Sequence, residues 1–167
     1  MKLLGTLNPE NATEKEISDF KERTAVRAII FDSENRIGIL YVRKHKYHKL
    51  PGGGVEDKET EYDAFKRECL EELGCNIEII KEIGKIIEYR KMFNLKQTAI
   101  CYLAKVVGEK GKPSFTQEEK DRGFEIKWLS IKEAFSLLNS DDTENKEGKL
   151  YIIPREKLFL EEVVNNH

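Results

Sequence analysis

Three glutamates lie close together in the segment Gly52 to Asn76, which reads GGGVEDKETEYDAFKRECLEELGCN. At 3.6 residues per turn, Glu68, Glu71 and Glu72 gather on one helix face that spans roughly 100°. Like charges at these spacings repel each other, so the face favours a bound cation. Carboxylate oxygens without a histidine or thiolate partner suit Mg²⁺ or Mn²⁺. A solvated acidic helix face is the alternative, because this is what most glutamate runs are in a chain so rich in charge.

A neighbouring stripe of the same helix is apolar and would pack against the core. It consists of Tyr62, Phe65, Cys69 and Leu73, which recur at helical spacing. Gly74 follows as a natural end of the helix, because glycine adopts the left-handed conformation of a C-cap without strain. The pattern therefore predicts a helix that buries one stripe and presents its glutamates from another.

The spacing of the whole segment is similar to the signature of the Nudix (MutT-like) hydrolases. The order is Gly53, five residues, Glu59, seven residues, Arg67-Glu68, two residues, Glu71-Glu72, one residue, Gly74. Seven fixed residues at ordinary usage should recur by chance less than about once in ten million start positions. The resemblance covers roughly residues 27–138.

The resemblance implies a role for each residue of the signature. It implies divalent-metal ligands at the Gly52 carbonyl and at the carboxylates of Glu68, Glu71 and Glu72. Glu68 is also a candidate for activating water. Glu59 would pair with Arg67 and fix the loop to its helix, which suits the bidentate geometry of a guanidinium with a carboxylate.

Two glutamates in a later loop are candidates for the catalytic base. In many Nudix proteins, a glutamate in a loop before the last strand of the sheet acts as a base or an added ligand. Glu118 and Glu119 occupy that kind of position here. Either one is at least as well explained as a solvated loop charge.

A basic loop, RKHKYHK, runs directly into the glycines from Arg43. Its cations Arg43, Lys44 and Lys46 could offset the charge of a polyphosphate. A solvated connector explains them equally well. Tyr47 is a candidate for stacking a nucleotide base, together with other strand and loop aromatics: Tyr89, Phe93 and Tyr102.

Composition and charge limit the classes of partner and the cellular compartment that we expect for the protein. The chain has 167 residues and a net charge of −2 with both signs interspersed, so it lacks the basic footprint of a nucleic-acid-binding protein. Cys69, Cys75 and Cys101 form neither a CxxC pair nor an even framework, which suits a reducing compartment. No apolar run is long enough for a membrane span or a secretion signal. We therefore expect a cytoplasmic protein with a small nucleotide substrate, as a monomer or homodimer.

Hydrophobic patterns predict two hairpins, from residues 24–31 with 36–42 and from 77–89 with 97–107. A further strand is expected at 124–129, followed by a helix that Ser130 caps and a polar, mobile excursion at 141–148. Pro154 would begin the last helix. These elements indicate an α+β fold, and the resemblance implies a Nudix-type mixed β-sheet sandwiched between α-helices. The expected single domain spans 1–167, with an N-terminal extension at 1–22, a core at about 24–138 and a C-terminal helical segment at 149–167.

The resemblance also implies the reaction, which is Mg²⁺-dependent hydrolysis of a pyrophosphate bond in a nucleoside diphosphate linked to another group X. The leading substrate is a nucleoside triphosphate, including oxidised ones, cleaved to the monophosphate and pyrophosphate. An ADP-ribose or other nucleotide-sugar pyrophosphatase is the alternative. It is less favoured because the ADP-ribose hydrolases of this family usually carry a proline shortly after the signature, and no proline occurs here between Cys75 and Lys112. A non-catalytic nucleotide-binding regulatory module is the second alternative.

Overall fold

Seven strands and five helices make up the chain in a computed structural model that describes residues 1–166. The strands are β1 (Leu3–Leu7), β2 (Lys21–Phe31), β3 (Ile37–Val42), β4 (Tyr47–Lys49), β5 (Asn76–Arg90), β6 (Leu95–Val107) and β7 (Phe124–Leu129). The helices are α1 (Glu14–Ser18), α2 (Glu61–Leu73), α3 (Gln117–Asp121), α4 (Ile131–Ser140) and α5 (Ile153–Asn165). None of the helices within these residues is both long and apolar enough to cross a membrane.

All seven strands belong to one mixed sheet with the order β1-β5-β6-β2-β3-β4, and β7 pairs with β3. β5 and β6 run antiparallel from Asn76 opposite Val107 to Arg90 opposite Leu95, which confirms the second predicted hairpin. β2 lies parallel to β6 along its whole length, from Lys21 opposite Leu95. This parallel pairing places β2 in the middle of the sheet.

The first predicted hairpin is wrong beyond its turn, because β2 and β3 pair only at Phe31 and Ile37. The strands then diverge, and the glycine segment between β4 and α2 takes the place of β3 along the edge of β2. Ala28 N donates to Pro51 O and Val26 N donates to Gly53 O, each at 2.9 Å. The backbone groups of β2 are therefore paired with the loop that carries the glycines.

Alternating side chains place one core on each face of the sheet. Val26, Ala28 and Ile30 of β2 pack with α2 on one face. Ile29 lies on the other face, in a cluster that includes buried residues of α4 and α5: Ala134, Leu138, Phe159, Leu160 and Val163. Helices cover both faces, which confirms the expected sheet sandwiched between helices.

α2 ends at Gly74 as its sequence predicts, and Thr60 caps its start. The side chain of Thr60 accepts a hydrogen bond from Asp63 N, and Gly74 closes the helix with a φ of 67°. Phe65 and Leu73 are buried as expected, but Tyr62 is 47% exposed and lies outside the buried stripe. The helix therefore packs over its later turns, next to the signature glutamates.

Two segments outside the expected core are tied into the structure. β1 extends the sheet by lying parallel to β5, so the N-terminal extension contributes an edge strand. The segment 141–148, predicted as a polar and mobile excursion, is hydrogen-bonded to the rest of the protein at its start. Asp141 accepts hydrogen bonds from the backbone N–H of His48 at 2.6 Å and pairs with its ring at 2.8 Å. The Thr143 hydroxyl donates to the carbonyl of His45, which fixes this segment to β4 and the turn before it.

Candidate active site

The glycine loop lies so close to β2 and α2 that side chains are excluded from it. Gly52 has a φ of +133°, and a Cβ there would come within 2.1 Å of the Val26 carbonyl oxygen. A Cβ on Gly53 would lie 2.2 Å from Oε1 of Glu68. Glycine is required at Gly52, where φ is positive and the clash is with backbone, whereas a side chain at Gly53 would displace the Glu68 carboxylate.

Glu72 is the most deeply buried glutamate of the signature, with 1% of its surface exposed. Its carboxylate accepts hydrogen bonds from Gly52 N at 2.6 Å and from Lys49 Nζ at 2.8 Å. Lys49 Nζ also donates to the Gly52 carbonyl at 3.3 Å. Burial raises the pKa of Glu72 above its usual value, and Lys49 partly opposes this. A cation already lies between two of the expected metal ligands.

Arg67 forms the expected pair with Glu59 and holds several other acceptors. Its guanidinium donates to both oxygens of Glu59, at 2.8 and 3.0 Å. It also donates to Glu68 at 2.8 Å, to Glu71 at 3.2 Å and to the Gly54 carbonyl at 3.1 Å. The bond from Arg67 lowers the pKa of Glu59, and the same bond raises the pKa of Arg67. This one side chain fixes the loop before α2 to the helix and orients Glu68.

The structure separates the three glutamates more than the helical pattern suggested. Glu68 and Glu72 are buried and line a pocket, whereas the Glu71 side chain is 41% exposed and turns to Arg67. Within residues 1–166, no three histidine, cysteine, aspartate or glutamate side chains converge closely enough to hold a metal ion. The assignment of Glu71 as a ligand stays a prediction.

The donors that do face the pocket fit a hard divalent cation. The carboxylates of Glu68 and Glu72 and the carbonyl of Gly52 supply only oxygen atoms, which Mg²⁺ and Mn²⁺ prefer. In this structure Lys49 and Arg67 neutralise the carboxylates. These residues could hold a divalent ion that takes over part of that neutralisation.

α3 brings both loop glutamates to the same pocket but gives them different partners. Glu119 accepts a hydrogen bond from the backbone N–H of Thr116 at 2.8 Å and so caps its own helix. Glu118 pairs with Arg122 one turn later, and its side chain is 72% exposed. The loop predicted here contains a short helix, and Glu118 is the carboxylate without a backbone-capping role.

The basic loop contributes less to the pocket than its sequence position suggested. Arg43, Lys44 and Lys46 are exposed and do not line the pocket, and Arg43 pairs with Glu125. Tyr47 does line it but is only 2% exposed, and burial raises its pKa to about 12. The steering role of the three cations stays a prediction.

Several pocket residues were missed by sequence reasoning because they belong to apolar strands and to the last helix. The pocket has a volume of about 390 Å³, and the missed residues in its wall include Arg23, Arg27, Lys49, Arg90, Gln97 and Arg155. A charged residue inside an otherwise apolar strand is the signal that could have found Arg27, which lies in TAVRAIIF. The pocket is thus lined mainly by charged side chains.

Comparisons with known proteins identify the same family from a family model and from individual relatives. The NUDIX domain family matches residues 21–151. The chain is similar to Nudix hydrolase 13, mitochondrial, of Arabidopsis thaliana, with 30% identity over 114 residues that make up 64% of this chain and 55% of that protein. It is also similar to the RNA pyrophosphohydrolase of Sulfurovum sp., with 48% identity over 42 residues, which are 25% of this chain and 27% of that one.

The fold itself recurs in solved structures. A NUDIX hydrolase from Nitrosomonas europaea superposes with a TM-score of 0.66 at 17% identity, covering 87% of this chain and 90% of that one. The chain spans about half the length of the Arabidopsis relative and about a quarter of the Sulfurovum one. The family match spans most of the sequence and contains the glycine loop, the signature helix and α3. The chain therefore belongs to the NUDIX domain family.

Proposed function

We propose that the protein is a Mg²⁺- or Mn²⁺-dependent hydrolase that cleaves a pyrophosphate bond in a nucleoside diphosphate linked to a group X. The observation that carries this proposal is the position of Glu68, Glu72 and the Gly52 carbonyl in one wall of a charged pocket. Phosphate groups need cations around them, and the same pocket contains a lysine and several arginines.

The residues of the site would have different roles in the proposed hydrolysis. A bound divalent ion would polarise a phosphoryl oxygen and lower the pKa of water. Glu68, Glu72 and the Gly52 carbonyl would hold that ion, with Glu71 as a further ligand. Arg67 orients Glu68 and keeps the loop closed on α2. Glu118 would accept the proton of the attacking water, because Glu119 is committed to its helix cap.

A nucleoside triphosphate, including oxidised ones, is the substrate that we propose first, with nucleoside monophosphate and pyrophosphate as products. Cationic walls favour a substrate with more phosphate groups over a nucleotide sugar. ADP-ribose or another nucleotide sugar is the competing substrate. A non-catalytic nucleotide-binding module is the competing function, and a metal-dependence assay distinguishes it.

The test is product identification from a nucleotide panel in Mg²⁺ and in EDTA. We expect pyrophosphate release from triphosphates only with the metal, and a loss of at least about a hundredfold in kcat for Glu72→Gln. Glu78→Gln removes the same charge from the surface, where Glu78 pairs with Lys105, and should keep full activity. Binding of nucleotides without turnover in Mg²⁺ or Mn²⁺ would support the regulatory module instead.

The three cysteines are buried and free of disulfides, which supports our proposal of a reducing, cytoplasmic location. We propose that the protein is a monomer or a homodimer, and analytical ultracentrifugation distinguishes the two states.

A further inference from the structure

A second group of charged side chains, separate from the signature glutamates, contributes to the wall of the same pocket. Arg155 of α5 is fully buried and donates to Glu156 at 2.6 Å and to Glu88 at 3.3 Å. Arg90, at the end of β5, is 3% exposed and donates to Glu88 at 3.2 Å. Arg27 of β2 lies beside them, with its Nε 3.4 Å from Glu156. We call these five residues the arginine cluster.

The arginine cluster buries more positive than negative charge. Within the cluster its three guanidinium groups face two carboxylates, and the third carboxylate that balances them, Glu147 on Arg90, is partly exposed. The Nε atoms of all three arginines and the Oε2 atom of Glu156 are buried without a hydrogen-bond partner. Burial and the neighbouring Arg155 lower the pKa of Arg27 to about 10. Buried guanidinium groups need negative partners, and because one of these partners is partly solvated, this wall favours an anion in the pocket.

Two further carboxylates interact with the cluster, and both already have partners. Glu72 interacts with Arg27 but accepts its hydrogen bonds from Lys49 and Gly52. Glu147 pairs with Arg90 at 2.8 Å from the segment before α5, and its side chain is 32% exposed. Glu147 is thus a partly solvated partner that an incoming anion could replace at Arg90.

The pocket offers little for a nucleotide base. Among the lining residues that the structure describes, Tyr47 and Phe124 are the aromatic ones. Tyr47 is 2% exposed and stacks with His45, at 6.3 Å between ring centroids. Phe124 has Lys49 Nζ over its ring at 5.0 Å and the edge of Phe115 against it. Base stacking needs an accessible aromatic face, and both rings are largely covered.

We infer that the arginine cluster binds the terminal phosphates of the substrate, while the base stays outside the pocket. This rests on the proposed function, because it assumes that the scissile bond lies at Glu68 and Glu72. The protein would then select a chain of three or more phosphates and accept any base. A nucleotide sugar would be a poor substrate, because its sugar brings no charge to Arg27, Arg90 and Arg155.

Binding without turnover tests the subsite by itself. The probe is inorganic tripolyphosphate, titrated calorimetrically into the protein in EDTA, where metal-dependent hydrolysis cannot occur. Glu147→Gln removes the competitor of the anion at Arg90 and should tighten binding by about fivefold, as expected for a partly exposed ion pair. Glu144→Gln is the matched control, because Glu144 is exposed in the same segment and outside the pocket. It should bind like the unmodified protein.

Arg90→Gln should weaken tripolyphosphate binding by about tenfold or more, since a charge-assisted hydrogen bond is lost. Its melting temperature is measured alongside, and Glu147→Gln keeps the test decisive if Arg90→Gln folds poorly. The inference is overturned if tripolyphosphate does not bind, or if Glu147→Gln and Glu144→Gln bind it equally.

Turnover in Mg²⁺ tests the selection of phosphate over base. We expect kcat/KM for ATP, GTP, CTP, UTP and 8-oxo-dGTP to agree within about tenfold, and ADP-ribose to be at least about a hundredfold poorer. A preference of more than about a hundredfold for one base would overturn the inference and leave the proposed hydrolysis intact. Conversely, tripolyphosphate binding that responds to Glu147→Gln, without any nucleotide turnover, would support the subsite and reject the proposed function.

Discussion

Replacing Arg67 by alanine should destabilise the protein by about 2 kcal/mol in the absence of metal. The change removes a fork to Glu59 and three further hydrogen bonds, to Glu68, Glu71 and Gly54. Breaking a fully buried ion pair costs about 3–5 kcal/mol, whereas an exposed pair contributes at most about 1 kcal/mol. The Arg67 side chain is 25% exposed and that of Glu59 is 13% exposed, so the loss should lie between these limits. At about 2–4 °C per kcal/mol, the melting temperature should fall by about 4–8 °C.

The assay is thermal unfolding followed by circular dichroism in EDTA and again in Mg²⁺. Lys105→Ala is the control, because Lys105 pairs with Glu78 across exposed strand positions, and it should change the melting temperature by less than about 2 °C. Arg67→Lys should recover only part of the loss, because an ammonium cannot form the fork to both oxygens of Glu59.

Magnesium should reduce the destabilisation of Arg67→Ala. Without the guanidinium, the carboxylates of Glu59, Glu68 and Glu71 lose a shared cation, and a divalent ion could replace part of it. Equal melting of Arg67→Ala and Lys105→Ala in EDTA would refute the reasoning. A loss that Mg²⁺ leaves unchanged would show that the metal binds elsewhere.

Three further substitutions test the close approach of the glycine loop to β2, the stabilising charge of Asp32 and the catalytic base. Gly52→Ala should lower the free energy of unfolding in urea by about 3 kcal/mol or more, because the new Cβ would lie 2.1 Å from a backbone oxygen of β2. Gly108→Ala is the control: Gly108 also has a positive φ but faces open space, so this change should cost about 1 kcal/mol. Asp32→Asn should cost about 2 kcal/mol at pH 7, because the buried carboxylate accepts hydrogen bonds from a lysine and an arginine. Burial would raise the pKa of Asp32, but these hydrogen bonds outweigh it, so the pKa is lower in the folded protein than in the unfolded chain. The stability that Asp32 contributes is therefore present above the unfolded pKa of about 3.9 and is lost as pH falls through the folded pKa. The difference in unfolding free energy between Asp32→Asn and the unmodified protein should therefore shrink below about pH 4. A difference that does not change with pH would contradict a stabilising role for the charged Asp32 carboxylate. Glu118→Gln should lower kcat by about 10²–10⁴-fold and flatten the acidic limb of the pH–rate profile, while Glu119→Gln stays within about threefold; two silent variants would exclude both as the base.

The signature helix could be predicted from sequence because its determinants are local. Apolar spacing, the cap at Thr60 and the glycine at Gly74 all lie within one continuous segment. The orientation of each glutamate was not predictable in the same way. Glu72 turns inward because it receives the Gly52 N–H, and Glu71 turns to Arg67. Both outcomes depend on how the preceding loop folds back onto the helix.

The arginine cluster could not be predicted because its members come from distant segments. Arg27 lies in an apolar strand and Arg155 in the last helix, and only the folded sheet brings them together. The first hairpin failed for a related reason. The turn after β2 is local, but the partner of β2 over its length is β6, and no local pattern specifies that pairing.

The parallel pairing of β2 with β6 also has a consequence for synthesis of the chain. Lys21 pairs with Leu95 and Phe31 with Lys105, so β2 leaves the ribosome about 70 residues before its partner. At about 5–20 residues per second, this β-prone apolar segment waits roughly 4–15 s with an unpaired edge. Its charged positions, Lys21, Glu22, Arg23 and Arg27, would oppose intermolecular association during that interval. Replacing Arg27 by an apolar residue should therefore increase aggregation during expression, apart from its effect on the folded pocket.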